Sequence, residues 1–119
     1  MSGLLEKMME HGVPDNQNIS IRDKVTCEFP LQIPFNIDDQ TTLISSVKLH
    51  YKVGVESEDM LNGITVLLDD TKCEVISETK GTIDLTAWVS TPGWHEIEIH
   101  SHASVKVIGQ LSIKSFIRF

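Results

Sequence analysis

Three of the five histidines fall within one short segment, where two glutamates accompany them. If this segment is a strand, Glu96, Glu98 and His100 share one face, because side chains two positions apart point to the same side. Imidazole and carboxylate groups are suitable ligands for zinc or a redox metal. Such neighbours are about 7 Å apart along a strand, so a single ion would need a bend and a further ligand from another strand. We therefore expect a solvent-facing polar row and no metal. The alternative is a cupin-like metal enzyme built on His95, Glu98, His100 and His102.

Sequence patterns of an enzyme are absent from the rest of the chain. There is no nucleophile elbow, phosphate-binding loop, HExxH or CxxC spacing. The paired carboxylates Asp38-Asp39 and Asp69-Asp70 fall in predicted turns, where Asp is favoured because it caps its own backbone. General acid or base catalysis would in addition need a pocket. We predict that the protein is not an enzyme, with no catalytic residue and no cofactor.

The two tryptophans, Trp88 and Trp94, are the candidate ligand-binding residues. Asp84 is predicted to cap one helical turn, from which Leu85 and Trp88 point together into the end of the domain. Trp94 alternates with the same spacing as Glu96 and Glu98, so it lies on their polar face of the predicted strand. This placement favours an exposed position. An exposed indole combines apolar area with a polar handle, so it suits stacking against a sugar ring or a partner surface. We nevertheless expect that its own loop folds the tryptophan over the rim, and the exposed indole is the alternative.

Most of the elements that carry these residues are predicted to be strands. From Ile19 onward, apolar and polar residues alternate in about seven or eight short runs separated by polar turns. This pattern is typical of a mainly β protein, an antiparallel β-sandwich, and not of an α/β enzyme. Pro30 and Pro34 make the first run either an edge strand or two strands joined near Pro30. Polar connectors or turns are predicted at residues 15–18, 38–42, 56–59, 62–63, 69–72 and 101–104 and at Gly109.

Residues 2–11 are predicted to form a short amphipathic helix that Gly12 and Pro14 end. Because so short a helix is marginal alone in water, its apolar face must pack on something. One option is the domain's own body, and the other is the same helix of neighbouring copies. The chain thus divides into a helix and connector, 1–14, and a β-sandwich domain, 15–119. The candidate oligomerisation residues are Leu4, Leu5, Met8 and Met9.

The charge balance excludes several classes of partner. Ten Lys and Arg stand against 17 Asp and Glu, for a formal net charge of -7. Nucleic-acid binding and docking on anionic lipid both need a surplus of clustered cations, so neither is expected. No apolar run approaches the roughly 18 residues of a membrane span, and no signal peptide is predicted.

Cys27 and Cys73 are expected to be reduced thiols that behave as small buried hydrophobic residues.

Several segments resemble jelly-roll β-sandwiches. These are GTIDLTAWV at residues 81–89, which forms an Asp-hydrophobic-Thr turn, and PGWHEIEI at residues 92–99. Within that set, the order of segments is similar to small domains in minor structural and tail proteins of Bacillus phages and prophages. PLQIPFNI at 30–37, SVKLHYK at 46–52 and QLSIKSFI at 110–117 carry this resemblance, which covers roughly residues 19–119.

The resemblance implies a non-enzymatic virion protein of the tail tip, baseplate or a fibre, made in the bacterial cytoplasm. Such proteins act as receptor-binding or adaptor modules and are usually homo-oligomers, often trimers. The implied partners are further copies of the chain, other virion proteins and cell-surface polysaccharide. A carbohydrate-binding β-sandwich that uses Trp88 or Trp94 is the alternative function, and the cupin-like enzyme is a second one.

Overall fold

The computed structural model of the chain describes residues 3–54 and 63–118. In this part there are one α-helix, eight strands and one 3-10 turn, Thr86–Trp88. The helix and strands are α1 Gly3–His11, β1 Val13–Val25, β2 Leu31–Ile37, β3 Thr41–Gly54, β4 Thr65–Leu68, β5 Thr71–Val75, β6 Lys80–Asp84, β7 Gly93–His100 and β8 Val105–Ile117.

The strands form two four-stranded antiparallel sheets. The first sheet has the order β1-β8-β3-β6 and the second has the order β2-β7-β4-β5. Strands β1 and β8 pair, as do β2 and β7, β3 and β6, and β4 and β5, so the numbers in each of these pairs add to nine. The chain is therefore one long hairpin wound around a core, and the pairings β3–β8 and β4–β7 complete the sheets. This is a jelly-roll arrangement. The predicted fold class, a jelly-roll-like β-sandwich with a short N-terminal helix, is confirmed.

The core lies between the two sheets and is built from alternate residues of the strands. Strand β2 shows the rule most clearly, since its residues are buried and exposed in turn from Leu31 to Ile37. Burial of each large aliphatic or aromatic side chain stabilises the fold by about 1.5–3 kcal/mol. The largest fully buried side chains are Phe35, Ile37, Leu49, Ile64, Ile76, Leu85, Ile97, Ile99, Leu111 and Ile113.

Helix α1 ends at Gly12, as predicted. The amide of Gly12 donates to the carbonyl of Met8 at 2.9 Å, and its φ of 106° is one that other residues rarely adopt. A Cβ at this position would lie 1.7 Å from the carbonyl oxygen of Ile117, so no larger residue fits. The ring of His11 then lies 6.4 Å from that of Phe116. The helix is thus attached to the end of β8.

Two predicted breaks lie inside strands. Residues 15–18 are not a connector but part of β1, where Asp15 is opposite Ser115 and the Ser115 hydroxyl donates to the Asp15 carbonyl at 2.9 Å. Polar residues are accommodated because β1 is an edge strand. Gly109 is not a turn either, because β8 runs through it. A Cβ there would lie 2.0 Å from the carbonyl oxygen of His50, so the glycine permits close approach of β3. The sandwich therefore begins at Val13.

Other predicted breaks are confirmed or shortened. The chain leaves β1 at Val25 and enters β2 at Leu31, and β2 is an edge strand, so both interpretations of the two prolines are correct. The turns after β2 and β4 are shorter than predicted, since β3 begins at Thr41 and β5 at Thr71. The break at residues 101–104 is confirmed. The turn at 56–59 and position 62 lie outside the described residues.

The cysteines are only partly as predicted. Both are free thiols, but Cys27 is exposed and Cys73 is half-buried. Cys27 falls in the connection between β1 and β2, where the alternation of the strands does not continue. Cys73 lies at an irregularity of the β4–β5 pairing on an edge strand, so its thiol is only half covered. The prediction of buried cysteines is therefore wrong for Cys27.

Among residues 3–54 and 63–118, no helix has both the length and the apolar character needed to cross a membrane.

Candidate functional site

The side chains of the alternative cupin-like metal site do not lie together on one face of β7. His95 points into the core and is 8% exposed, whereas Glu98 and His100 lie on the outer face and His102 follows in the exposed turn. His100 Nε2 lies 2.8 Å from a carboxylate oxygen of Glu98. Within the described part of the chain, no group of three His, Cys, Asp or Glu side chains is arranged to hold a metal ion. The cupin-like set is therefore not assembled there.

His95 instead belongs to a partly buried hydrogen-bond network. Its Nδ1 lies 2.6 Å from Oδ2 of Asp69, and its Nε2 lies 2.8 Å from the carbonyl oxygen of Thr91. Both partners only accept hydrogen bonds, so both ring nitrogens donate when the imidazole is protonated. Burial lowers the pKa of His95, but the bonds to Asp69 and Thr91 outweigh it and hold the pKa above its ordinary value. The ring also stacks on Phe35 at 5.5 Å.

The network fixes the β4–β5 turn against the beginning of β7. Oδ1 of Asp69 accepts from the amide of Glu96 at 2.9 Å, and the Asp69 amide donates to the Glu96 carbonyl at 2.9 Å. Asp69 and Asp70 have φ values of 49° and 68°, which Asp tolerates better than most residues. The sequence indicates the turn but not the hydrogen bond to His95. No local sequence pattern predicts contact between Asp69 and His95, which are 26 positions apart.

Trp94 directly precedes His95 in β7, lies on the outer face of the second sheet, and is 74% exposed. In the β2–β7 register it is opposite Asn36, and the next outward row pairs Pro34 with Glu96. Directly opposite residues have Cβ atoms about 4.5–5.5 Å apart. We call Trp94, Asn36, Pro34, Glu96 and Asp70 the Trp94 face. The exposure follows the parity of the strand, so the expectation that the loop folds this indole over the rim is wrong.

Negative charge is concentrated on the Trp94 face and next to it. A hydrogen bond with Glu98, followed by burial and the negative charges of Glu98, Asp70 and Asp69, raises the pKa of Glu96. Hydrogen bonds with His100 and then Glu96 lower the pKa of Glu98. An aromatic surface therefore lies among side chains that accept hydrogen bonds. This arrangement can hold a ring that has one apolar side and several hydroxyl groups.

Trp88 does not point into the sandwich with Leu85, contrary to the prediction. Leu85 is fully buried and Trp88 is 46% exposed. Leu85 precedes the 3-10 turn and donates its amide to the Val47 carbonyl at 2.7 Å, so β3 holds it inward. Asp84 does fix the turn, since its Oδ1 accepts from the amide and hydroxyl of Thr86 at 2.9 and 2.6 Å. These bonds hold the pKa of Asp84 below its usual value.

The apolar face of α1 has little cover from the rest of the described chain. Leu4, Leu5 and Met9 are 60%, 63% and 78% exposed, and Met8 is half-buried. No residue of the helix is buried. Of the two predicted packing options, packing on the domain's own body leaves most of Leu4, Leu5 and Met9 exposed.

Comparison of the chain with protein-family models, curated proteins and solved structures gives no significant match. The resemblance to phage and prophage proteins therefore stays a prediction. The geometry of the exposed faces is the ground for a function, because one fold serves many functions.

Proposed function

We propose that the protein is a non-enzymatic receptor-binding or adaptor module of a phage or prophage tail, and that it binds cell-surface carbohydrate through the Trp94 face. The observation that carries this proposal is the 74% exposure of Trp94 on a strand that is otherwise well packed. Folding leaves most of the indole in water, and a stacked sugar ring would remove this apolar area from it.

The neighbours of Trp94 supply the polar contacts that a sugar needs. Asn36 offers both donors and acceptors, and Glu96 and Asp70 offer carboxylate acceptors. The network of His95 and Asp69 holds the turn that carries Asp70, so part of this face is fixed before a ligand arrives. Pre-organisation reduces the entropy lost on binding.

The assignment to a phage particle is supported by the motif order and is compatible with the jelly-roll fold. Jelly rolls occur in viral capsid proteins and in lectins, among other proteins. The proposal accordingly includes a location in the virion, with other virion proteins and the polysaccharide of the host surface as partners.

Tryptophan fluorescence titrated with purified cell-wall polysaccharide tests this function. We expect saturable quenching or a spectral shift in the wild type, loss of this response in Trp94→Ala and its retention in Trp88→Ala. The second variant is the matched control, because it also removes one exposed indole. A response that persists in Trp94→Ala, or no response in the wild type, contradicts the proposal.

The exposed face of α1 favours self-association as a second candidate function. Three large apolar side chains on one short helix are mostly in water, and packing against copies of the same helix would cover them. We expect sedimentation velocity at micromolar concentration to show an oligomer. Leu4→Gln, Leu5→Gln and Met9→Gln combined should shift it towards monomer, while the polar control Glu6→Gln, Lys7→Gln and Glu10→Gln should not. A wild type that stays monomeric at all concentrations excludes this role.

A further inference from the structure

Basic side chains are segregated onto the outer face of the first sheet. Seven of the ten Lys and Arg lie there, although the chain as a whole has a formal net charge of -7. All seven are exposed, and Asp84 is the one acidic residue at an outward register position in the described part of these strands. The seven are Arg22, Lys24, Lys48, Lys52, Lys80, Lys106 and Lys114.

Five of these cations surround one exposed apolar residue at one end of the sheet. Arg22 and Lys52 lie opposite Ile108 on either side, and Ile108 is 45% exposed. In the same register, Lys80 lies opposite Lys52, and Lys24 lies opposite Lys106. We call this group the basic face: Arg22, Lys24, Lys52, Lys80 and Lys106, with Ile108 at its centre.

The cations of the basic face form like-charge pairs across neighbouring strands and no ion pairs within the described residues. Like charges directly opposite each other on neighbouring strands are destabilising, and Lys52/Lys80 and Lys24/Lys106 are both such pairs. No ion pair within residues 3–54 and 63–118 involves any of the five cations. Asp23 lies between Arg22 and Lys24 and is exposed despite its inward parity, but its carboxylate accepts from the Lys24 amide at 2.7 Å and forms no ion pair with the five cations.

The surface around Ile108 has room for a chain-like ligand. One depression of about 360 Å³ is lined by three cations, one carboxylate and two apolar residues: Arg22, Lys24, Lys106, Asp23, Val107 and Ile108. Another, of about 570 Å³, is lined by Lys52, Lys80 and Ile108 among other residues. The two depressions share Ile108, so together they extend across the sheet from β1 to β6.

We propose that the basic face binds a linear polyanion whose charges are phosphate groups, without readout of nucleobases. Lysine binds phosphate as a point charge and arginine as a planar fork, and both are present. Single-stranded nucleic acid is usually bound with aromatic rings that stack on the bases. The outward positions of the described strands of this sheet carry no Phe, Tyr or Trp. Tyr51 lines the second depression, but it has the inward parity and is half-buried against the core. The basic face lies on the opposite sheet from Trp94, so this proposal does not depend on carbohydrate binding.

Titration with inorganic polyphosphate of defined length tests the proposal. If about five phosphates are neutralised, affinity should fall roughly 100-fold between 50 and 200 mM salt. Arg22→Gln, Lys52→Gln and Lys106→Gln combined should weaken binding at least ~10-fold at low salt and reduce its salt dependence. The matched control is Lys48→Gln, Lys72→Gln and Lys114→Gln, which removes the same charge from exposed positions elsewhere and should change affinity less than ~3-fold.

Several outcomes would overturn the proposal. They are no binding at low salt, equal losses in both triple variants, and tighter binding to single-stranded DNA with the same number of phosphates. Polyphosphate should also raise the melting temperature of the wild type more than that of the Arg22, Lys52 and Lys106 variant. If that variant does not fold, Lys80→Gln alone provides the comparison with Lys48→Gln. Equal affinity of these two single variants would likewise contradict the proposal.

Discussion

The carboxylate of Asp69 bridges the side chain of His95, at 2.6 Å from Nδ1, and the backbone amide of Glu96, at 2.9 Å. One side chain therefore ties the β4–β5 turn to two successive residues of β7. The bond to His95 is charge-assisted when the imidazole is protonated, and such bonds contribute about 1.5–3 kcal/mol. This relationship makes part of the fold's stability depend on pH.

We expect His95→Gln to reduce the free energy of unfolding more at pH 6 than at pH 9. The folded pKa of His95 is raised, so its protonation stabilises the fold fully below the unfolded pKa of about 6.5. This contribution is lost as the pH rises through the folded pKa. Urea unfolding at both pH values measures the difference. His102→Gln, at an exposed turn position, is the control and should show no comparable pH dependence.

Leu85 and Trp88 should differ sharply in their effect on stability. Leu85→Ala removes a fully buried side chain and should cost about 2–5 kcal/mol. Trp88→Ala removes a larger side chain that is 46% exposed, and we expect a cost below about 1.5 kcal/mol. Thermal or urea unfolding compares the two variants. Equal costs would mean that both side chains pack into the sandwich.

Gly109→Ala should destabilise the first sheet where Gly54→Ala does not. A Cβ at position 109 would lie 2.0 Å from the His50 carbonyl oxygen, whereas at position 54 the nearest atom is 3.7 Å away. We expect a cost of about 1–3 kcal/mol for Gly109→Ala, because the backbone of β3 must move. Both glycines lie on the β3–β8 pair, so the comparison in urea separates this clash from the general effect of a methyl group.

A thiol reagent should label Cys27 before Cys73. Cys27 is exposed, while Cys73 is half-buried and donates to the Thr71 carbonyl at 3.3 Å. Burial, together with the negative charges of Asp69 and Glu74, raises the pKa of the Cys73 thiol despite a backbone hydrogen bond that lowers it. Less thiolate forms, so reaction is slower. Cys27→Ser should remove the fast phase of a spectrophotometric thiol assay at pH 8, and Cys73→Ser should remove the slow phase.

Alternation of apolar and polar residues was sufficient to predict the sandwich. It placed Leu31, Ile33 and Phe35 on one buried face of β2. The parity of β7 also indicated the exposed position of Trp94, although we expected its loop to fold the indole over the rim. The prediction of a turn at Gly109 was wrong because the local sequence is the same for a glycine that begins a turn and for one that permits close contact between two backbones. The two cases differ only in which strand lies alongside.

Contacts between distant strands were beyond the sequence pattern. The basic face is an example, because its cations Arg22, Lys52 and Lys106 are far apart in sequence and form no basic run. Only the register of β1, β3 and β8 brings them together. The bond from His95 to Asp69 is of the same kind. Local patterns determine which face a side chain is on, but the sheet order determines its neighbours.

The hairpin-like winding of the strands also sets the order in which this chain can fold during synthesis. Strands β4 and β5 are separated by a two-residue turn and can pair as soon as both have left the ribosome. Strand β1 is an edge strand whose sheet partner is β8, and Val13 is opposite Ile117. Its thirteen residues therefore have no strand to pair with until β8 has been synthesised. Pairings between residues so distant in sequence form slowly. In the nascent protein, β1 is therefore the strand most accessible to chaperones and to incorrect pairing with a second protein chain.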